Sequence, residues 1–333
     1  MRSTPVRAGG GRERTALVAS AKAAISEGSH SFAAASRLFD RRTRERCWLF
    51  YAWCRRCDDI VDAQHAGHPL AENDHIDAEL LKNAEDRLQA IRVLTRRAFE
   101  RQPTADPAFD GLGLLAEECG LTPDMAEDII AGFALDVAEW RPRTEGDLMR
   151  YCYHVAGAVG IAMAKIMGVP GDDGDTLDRA CDLGLAFQLA NIARDVIEDD
   201  ANGRCYIPTD WLVELDLPPG GLAWPQNREK LATLMPRMIA LMERYAAASR
   251  LGAARLAFRQ RWAVLAAARI YTDIGHKVLA AAAQAWDRRI VVTRREKLVH
   301  VARALREALR NKPEAPAEPI DWTRHDFRPV AGW

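Results

Sequence analysis

The stretch LGLAFQLANIARDVIEDD, residues 183–200, sets the fold class. Its first part, LGLAFQLANIA, has the Leu and Ala content of a core helix. Gln188, Asn191, Asp195 and Asp199 interrupt that apolar run at i, i+3, i+7 and i+11, which is a single helical face. Buried amides and carboxylates need partners. A divalent metal with an anionic ligand would supply them, and so would a satisfied polar network inside a bundle.

Upstream, YAWCRRCDDIVD (residues 51–62) echoes the pattern. Tyr51, Arg55, Asp58 or Asp59, and Asp62 share one helical face, so the carboxylates of Asp58 and Asp62 project side by side. Such a pair repels itself by about a few tenths of a kcal/mol even when exposed. A divalent cation turns that repulsion into a site, and the hard oxygen ligands suit Mg²⁺ or Mn²⁺. A lone Asp pair is ordinarily a solvated face. Here Trp48, Leu49, Phe50, Ile60 and Val61 flank the acids, which places them on a largely buried helix where unpaired charge is costly. Each stripe has an Asp-x-x-x-Asp core with an arginine close by, Arg55 or Arg194. Two carboxylate pairs holding divalent ions would hold a polyphosphate. The cations would act as Lewis acids on a departing diphosphate while the arginines clamp its oxygens.

The rest of the chain predicts one all-α domain. Ala, Leu, Arg and Glu dominate, and no alternating β-branched run is long enough to build a sheet. Residues 1–14 are expected to be a disordered lead and 15–311 a bundle of roughly ten helices. Residues 312–333 form a Pro-rich tail that cannot continue a helix. Breakers mark loops at 66–75, 103–107, 168–174 and 202–208. The longest, LDLPPGGLAWPQN (215–227), is expected to be a hinge or rim loop.

Among 333 residues, 46 Lys and Arg face 47 Asp and Glu, a formal charge of −1. That balance argues against a general nucleic-acid binder, and a hydrophobic share of 48% argues against disorder. No run reaches the roughly 18–20 apolar residues of a membrane span; the longest candidate is Tyr151 to Ala164. The N-terminus lacks the apolar segment of a secretory signal. Seven cysteines scattered through helical segments fit reduced thiols in a cytosol. A cytoplasmic chain is expected, with peripheral membrane contact left open.

Other motifs carry less. Cys54-Arg-Arg-Cys57 lies mid-helix without a second pair, so redox or zinc use is set aside. Glu27-x-x-His30 and Glu72-x-x-His75 have the spacing of di-iron ligands but sit at Gly or Pro breaks. No G-x-G-x-x-G or G-x-x-x-x-G-K-[ST] occurs, so no nicotinamide or ATP site is expected. The basic runs Arg41, Arg42, Arg44, Arg46 and Arg294, Arg295, Lys297 are most simply solvated faces; contact with anionic lipid headgroups is the alternative.

D-D-I-V-D at 58–62 and D-V-I-E-D at 195–199 resemble the paired acidic motifs of the squalene and phytoene synthase family, which joins prenyl diphosphates head to head. Four further segments are similar to that family. They are Ser29-His30-Ser31-Phe32, the helix Tyr151-Cys-Tyr-His-Val-Ala-Gly-Ala-Val-Gly160, Asn202-Gly-Arg-Cys-Tyr-Ile-Pro208 and Trp286-Asp-Arg-Arg289. The likeness spans about residues 15–305 and is closest to bacterial members. It implies an isoprenoid synthase-like bundle with a central apolar cavity. Mg²⁺ or Mn²⁺ would be held by Asp58, Asp62, Asp195 and Asp199, with Asn191 and Asp59 beside them. Arg55, Arg194 and Arg289 would contact diphosphate, and Tyr51, Tyr151, Tyr271 and Gln188 would line the cavity. Ser29, Ser31, Phe32, Val155 and Gly160 would touch substrate. Some relatives have His just before the S-x-S-F motif where this chain has Gly28.

The activity so implied is condensation of two geranylgeranyl diphosphates, through prephytoene diphosphate, to phytoene, with no nicotinamide cofactor. A squalene- or dehydrosqualene-type enzyme using farnesyl diphosphate is one alternative, and a non-catalytic assembly factor of the same fold is another. Carbocation chemistry needs a dry cavity. Gly157 and Gly160, three apart, offer either a smooth face for an isoprenoid chain or a seam for helix packing.

Overall fold

The computed structural model describes residues 7–9, 11–28, 36–62, 64–65, 68–69, 83–314 and 319–327, which are mostly helical. Strand pairing among them is limited to a two-residue antiparallel ladder, Gln64–His65 against His68–Pro69, and one bridge between Arg7 and Glu13. The chain sorts into two compact units, Met1–Ala138 with Ala162–Asp172 and Glu139–Ile161 with Asp173–Trp333. The chain passes between them three times, so neither unit is contiguous and no linker composition marks a boundary. That is why the sequence predicts one domain.

The first unit holds α1 (Arg14–Gly28), α2 (Arg41–Val61), α3 (Ala84–Phe99), α4 (Pro107–Cys119) and α5 (Pro123–Val137). The starts follow local chemistry. Asp40 accepts from the Thr43 amide (3.0 Å), and Asp106 accepts from that of Ala108 (2.8 Å) with Pro107 in the first turn. Gly120, at φ 67°, closes α4 in the left-handed region. α2 packs on α1 and α4 and buries Cys47, Leu49, Phe50, Trp53 and Cys57.

The lead differs from the expected disorder, because residues 7–9 and 11–14 are described and tied down. Arg12 reaches Asp110 at 2.6 Å, and Arg14 bridges Glu45 and Glu118, both at 2.7 Å. Glu118, whose side chain is fully buried, also takes Arg46 at 2.7 Å. Buried carboxylates on α4 need cationic partners, and the arginines of the lead supply two of them.

The second unit begins with α6 (Glu145–Cys152), started by a Thr144–Asp147 capping box. A π-turn follows at Tyr153–Gly157, and α7 (Ala158–Ile166) leads back into the first unit. Then come α8 (Gly174–Ala201), α9 (Thr209–Val213), α10 (Arg228–Ala253), α11 (Phe258–Ala281), α12 (Arg294–Arg310) and α13 (Arg324–Phe327). α8 is the axis of this unit. Its 28 residues span about 42 Å and contact α6, the π-turn, α10 and α11. Cys181, Leu185, Leu189, Ile192 and Val196 are buried on it.

Glycine permits the closest approaches. A Cβ on Gly184 would lie 2.2 Å from the Ala156 carbonyl oxygen, and one on Gly160 would lie 2.3 Å from that of Ala180. The Pro-rich tail is likewise held. Residues 319–327 dock through Arg324 to Asp178 and Arg244 to Asp321 (2.7 Å), the Tyr245 hydroxyl donates to the Trp322 carbonyl (3.1 Å), and Phe327 is buried against Tyr153. Among the described residues no helix is long and apolar enough to cross a membrane.

Candidate functional site

Both acidic stripes fall at the C-terminal ends of their helices, α2 ending at Val61 and α8 at Ala201. Neither helix has a basic residue in its last turn. A helix C-terminus carries partial negative charge, and a carboxylate there is disfavoured by about 0.3–1 kcal/mol until a cation compensates. Acids gathered at two negative poles therefore call for cations.

In the first unit, Arg55 divides its guanidinium between two acids. One nitrogen donates to Asp58 at 3.0 Å and another pairs with Asp59 at 2.8 Å. Asp59 is buried, whereas the Asp58 side chain is 47% exposed and open to further ligands. Asp62 is the exposed C-cap residue, with its amide on the Asp58 carbonyl. Tyr51 is half-buried; burial raises its hydroxyl pKa against the pull of Arg55. A cavity of about 410 Å³ between α1, α2 and α4, walled by Leu17, Ala21, Leu49 and Ala52, reaches Arg55 and Asp59. Ser29, His30, Ser31 and Phe32 lie outside the described residues, as do Glu72 and His75.

In the second unit, Arg194 grips the adjacent Asp195 with two hydrogen bonds, at 2.8 and 2.5 Å. Burial works to lower the Arg194 pKa, but bonding to Asp195 outweighs it and the pKa is raised. Arg289 adds a contact to Asp195 at 3.1 Å and binds Glu198. The segment carrying Arg289 is stapled to α8 by the Trp286 indole, which donates to the Ala193 carbonyl at 3.1 Å, and Asp287 is held by Arg228. Asp199 is half-buried on the same helix end. Asp200, absent from the sequence-derived candidates, is buried and accepts from the amides of Gly220 (2.7 Å) and Ala223 (3.1 Å). It pins the 215–227 loop to α8. Asn191 and Gln188 are half-buried one and two turns before Asp195.

The aromatic candidates form two stacks. Tyr151 is buried between Tyr206 (ring centroids 4.4 Å) and Trp140 (6.4 Å). Tyr271, on α11, lies flat on Phe187 of α8 at 4.0 Å. Burial raises the Tyr271 pKa against the pull of Arg194, so its hydroxyl keeps its proton. Val155 lies in the π-turn, half-buried. Of the two readings of Gly160, its approach to the Ala180 backbone favours helix packing.

The thiols are inert. Burial pushes Cys54 up to about 12 and Cys57 well above its ordinary value, the opposite of what a redox pair needs. The seven cysteines are free. Missed by sequence reasoning, Asp182 on α8 is buried beside Arg179 (2.9 Å), and burial lifts its carboxyl to about 7.

The donor set fits divalent ions in kind, because hard carboxylate oxygens stand beside phosphate-binding arginines. Among the described residues no three His, Cys, Asp or Glu side chains converge to hold a metal by themselves.

A family model described as squalene/phytoene synthase matches residues 25–296. A phytoene synthase of Pseudescherichia vulneris is 44% identical over 93% of this chain and 94% of its own length. A 15-cis-phytoene synthase of Pantoea ananas is 42% identical over 89% of this chain and 94% of its own. Among solved structures, a dehydrosqualene synthase in complex with ligand superposes with a TM-score of 0.76 at 23% identity, covering 90% of this chain and 98% of that one. A squalene synthase from Alicyclobacillus acidocaldarius gives 0.67 at 21% identity, covering 80% and 93%. At those identities the structures speak for the fold, which is all-α in the same manner.

Proposed function

The chain belongs to the squalene/phytoene synthase family, and from that premise we propose that it condenses two geranylgeranyl diphosphates head to head, through prephytoene diphosphate, to phytoene. It is a prenyltransferase of carotenoid biosynthesis. The observation that carries this reading is the 44% identity to a phytoene synthase over nearly the whole of both chains.

In this reading Asp58, Asp62, Asp195 and Asp199, with Asn191, hold Mg²⁺ or Mn²⁺, whose chemistry is Lewis-acid neutralisation of the charge on a departing diphosphate. Arg55 already pairs with Asp58, and Arg194 and Arg289 with Asp195, and these arginines turn to phosphate oxygens when substrate arrives. The charge-rich helix ends thus serve the leaving group. Tyr271 serves the carbocation: backed by Phe187 on one side, it offers its other π-face where cationic charge is stabilised and water excluded, while Tyr151, stacked between Tyr206 and Trp140, stiffens the wall. Gln188, Val155 and Tyr51 complete the wall, with Ser29, Ser31 and Phe32 at its entrance. The chain works in the cytoplasm against the membrane surface, where a substrate with long apolar tails partitions.

The test is a product assay. Purified protein with Mg²⁺ and geranylgeranyl diphosphate is expected to give phytoene; product from farnesyl diphosphate alone overturns the choice of substrate.

A further inference from the structure

The outward face of α12 mixes apolar and basic side chains and exposes no unpaired acid. Leu298 (70% exposed), Ala302 and Leu309 (68% exposed) fall at i, i+4 and i+11, a single stripe about 16 Å long. Val299, and Val291 just before the helix, widen it. Arg294, Arg295, Arg303, Arg306 and Arg310 flank the stripe, all exposed. None of the five enters an ion pair among the described residues. The two acids of α12 are engaged elsewhere: Glu296 with Lys277 at 2.7 Å, and Glu307 with Arg250 and Arg269 at 3.0 and 2.5 Å. Buried Ala304 and Ala308 mark the side that packs on α11.

We propose that this face of α12 seats the protein on an anionic lipid bilayer, an inference that rests on the prenyl-substrate reading. An arginine-rich helix with one apolar stripe lies in the plane of an interface, the apolar residues at the acyl boundary and the guanidiniums among phosphates. The charge complementarity selects anionic lipid over a second copy of the chain, whose matching face would bring arginines against arginines. The face begins five residues after Arg289, which holds Asp195 and Glu198. Docking there keeps the acidic end of α8 close to where a prenyl diphosphate partitions.

Flotation of the full chain with phosphatidylcholine vesicles, and with vesicles that also contain phosphatidylglycerol, tests the proposal. Wild type is expected to float only with the anionic vesicles and to be released by high salt. Arg295→Glu with Arg306→Glu is expected to weaken binding by about twentyfold or more, at about fivefold per arginine lost, and Leu298→Ser with Leu309→Ser to weaken it as well. Both variants are expected to match wild type in turnover of detergent-dispersed prenyl diphosphate. Equal binding by the charge variant, or no binding by wild type, overturns the docking face. A dimer in solution dissolved by the leucine variant overturns it in favour of self-association. Retained turnover without vesicle binding removes this proposal alone. Vesicle binding without turnover supports it while removing the catalytic reading.

Discussion

Gly160→Ala separates the two uses open to the small-residue face of α7. The added Cβ would lie 2.3 Å from the Ala180 carbonyl oxygen, whereas ordinary contact begins near 3.4 Å, so the two helices must part by about 1 Å. Backbone stands on both sides, and no rotamer change relieves the clash. Overpacking of this kind costs about 3 kcal/mol, and the better helix propensity of Ala returns about 1 kcal/mol. The net loss is about 2 kcal/mol, which lowers the melting temperature by about 3 °C for a chain of this size. Gly157→Ala is the control. Its Cβ would meet the movable Cys181 sulfur at 2.9 Å, so a smaller fall is expected. Thermal unfolding followed by circular dichroism reads both. If Gly160→Ala melts at or above wild type while KM for the prenyl diphosphate rises, the glycine serves the substrate cavity and the packing argument is wrong.

Asp200→Asn puts an amide where two backbone N–H groups now donate, at 2.7 and 3.1 Å. A loss of about 1–3 kcal/mol is expected, with faster proteolysis within residues 215–227; an unchanged cleavage pattern would remove the anchoring role. Asp182 makes stability depend on pH. Burial, against the pull of Arg179 and with help from Asp178, raises its folded pKa to about 7 from an ordinary 3.8. The folded chain therefore keeps a proton that the unfolded chain releases, and this contribution is complete below about pH 4 and lost as pH rises through about 7. Asp182→Asn is expected to flatten the melting temperature between pH 5 and about 7, and a slope equal to wild type's would contradict the assignment. Phe327→Ala deletes a fully buried ring and is expected to cost about 3 kcal/mol; a melting temperature within a degree or so of wild type would show the tail to be undocked.

How far the sequence carried the account differs from element to element. α8 was legible because Gln188, Asn191, Asp195 and Asp199 stand out from an apolar background at helical spacing. The same wheel places Asp200 about 100° away from that face, so the signal for its separate, anchoring role was present but needed the loop it holds. The π-turn at Tyr153–Gly157 was invisible: one extra residue per turn leaves no compositional mark. The arginines of residues 7–14 resembled a disordered lead because their partners, Asp110 and Glu118, lie about a hundred residues away and are buried. Glu198 was passed over for Asp195 and Asp199, since only the chain's return at Arg289 shows which acids it meets. The absence of basic residues from the last turns of α2 and α8 could have been read from the sequence, and it is an independent pointer to cations.

The account stands on acids at two helix ends that bind diphosphate only through divalent ions. Calorimetric titration of the purified chain with inorganic diphosphate, with Mg²⁺ and then with chelator, measures this without turnover. Binding is expected with Mg²⁺ and none without it, and Asp58→Asn or Asp195→Asn is expected to weaken it by about tenfold or more. Binding of equal strength in chelator, or undiminished in both variants, would contradict the claim.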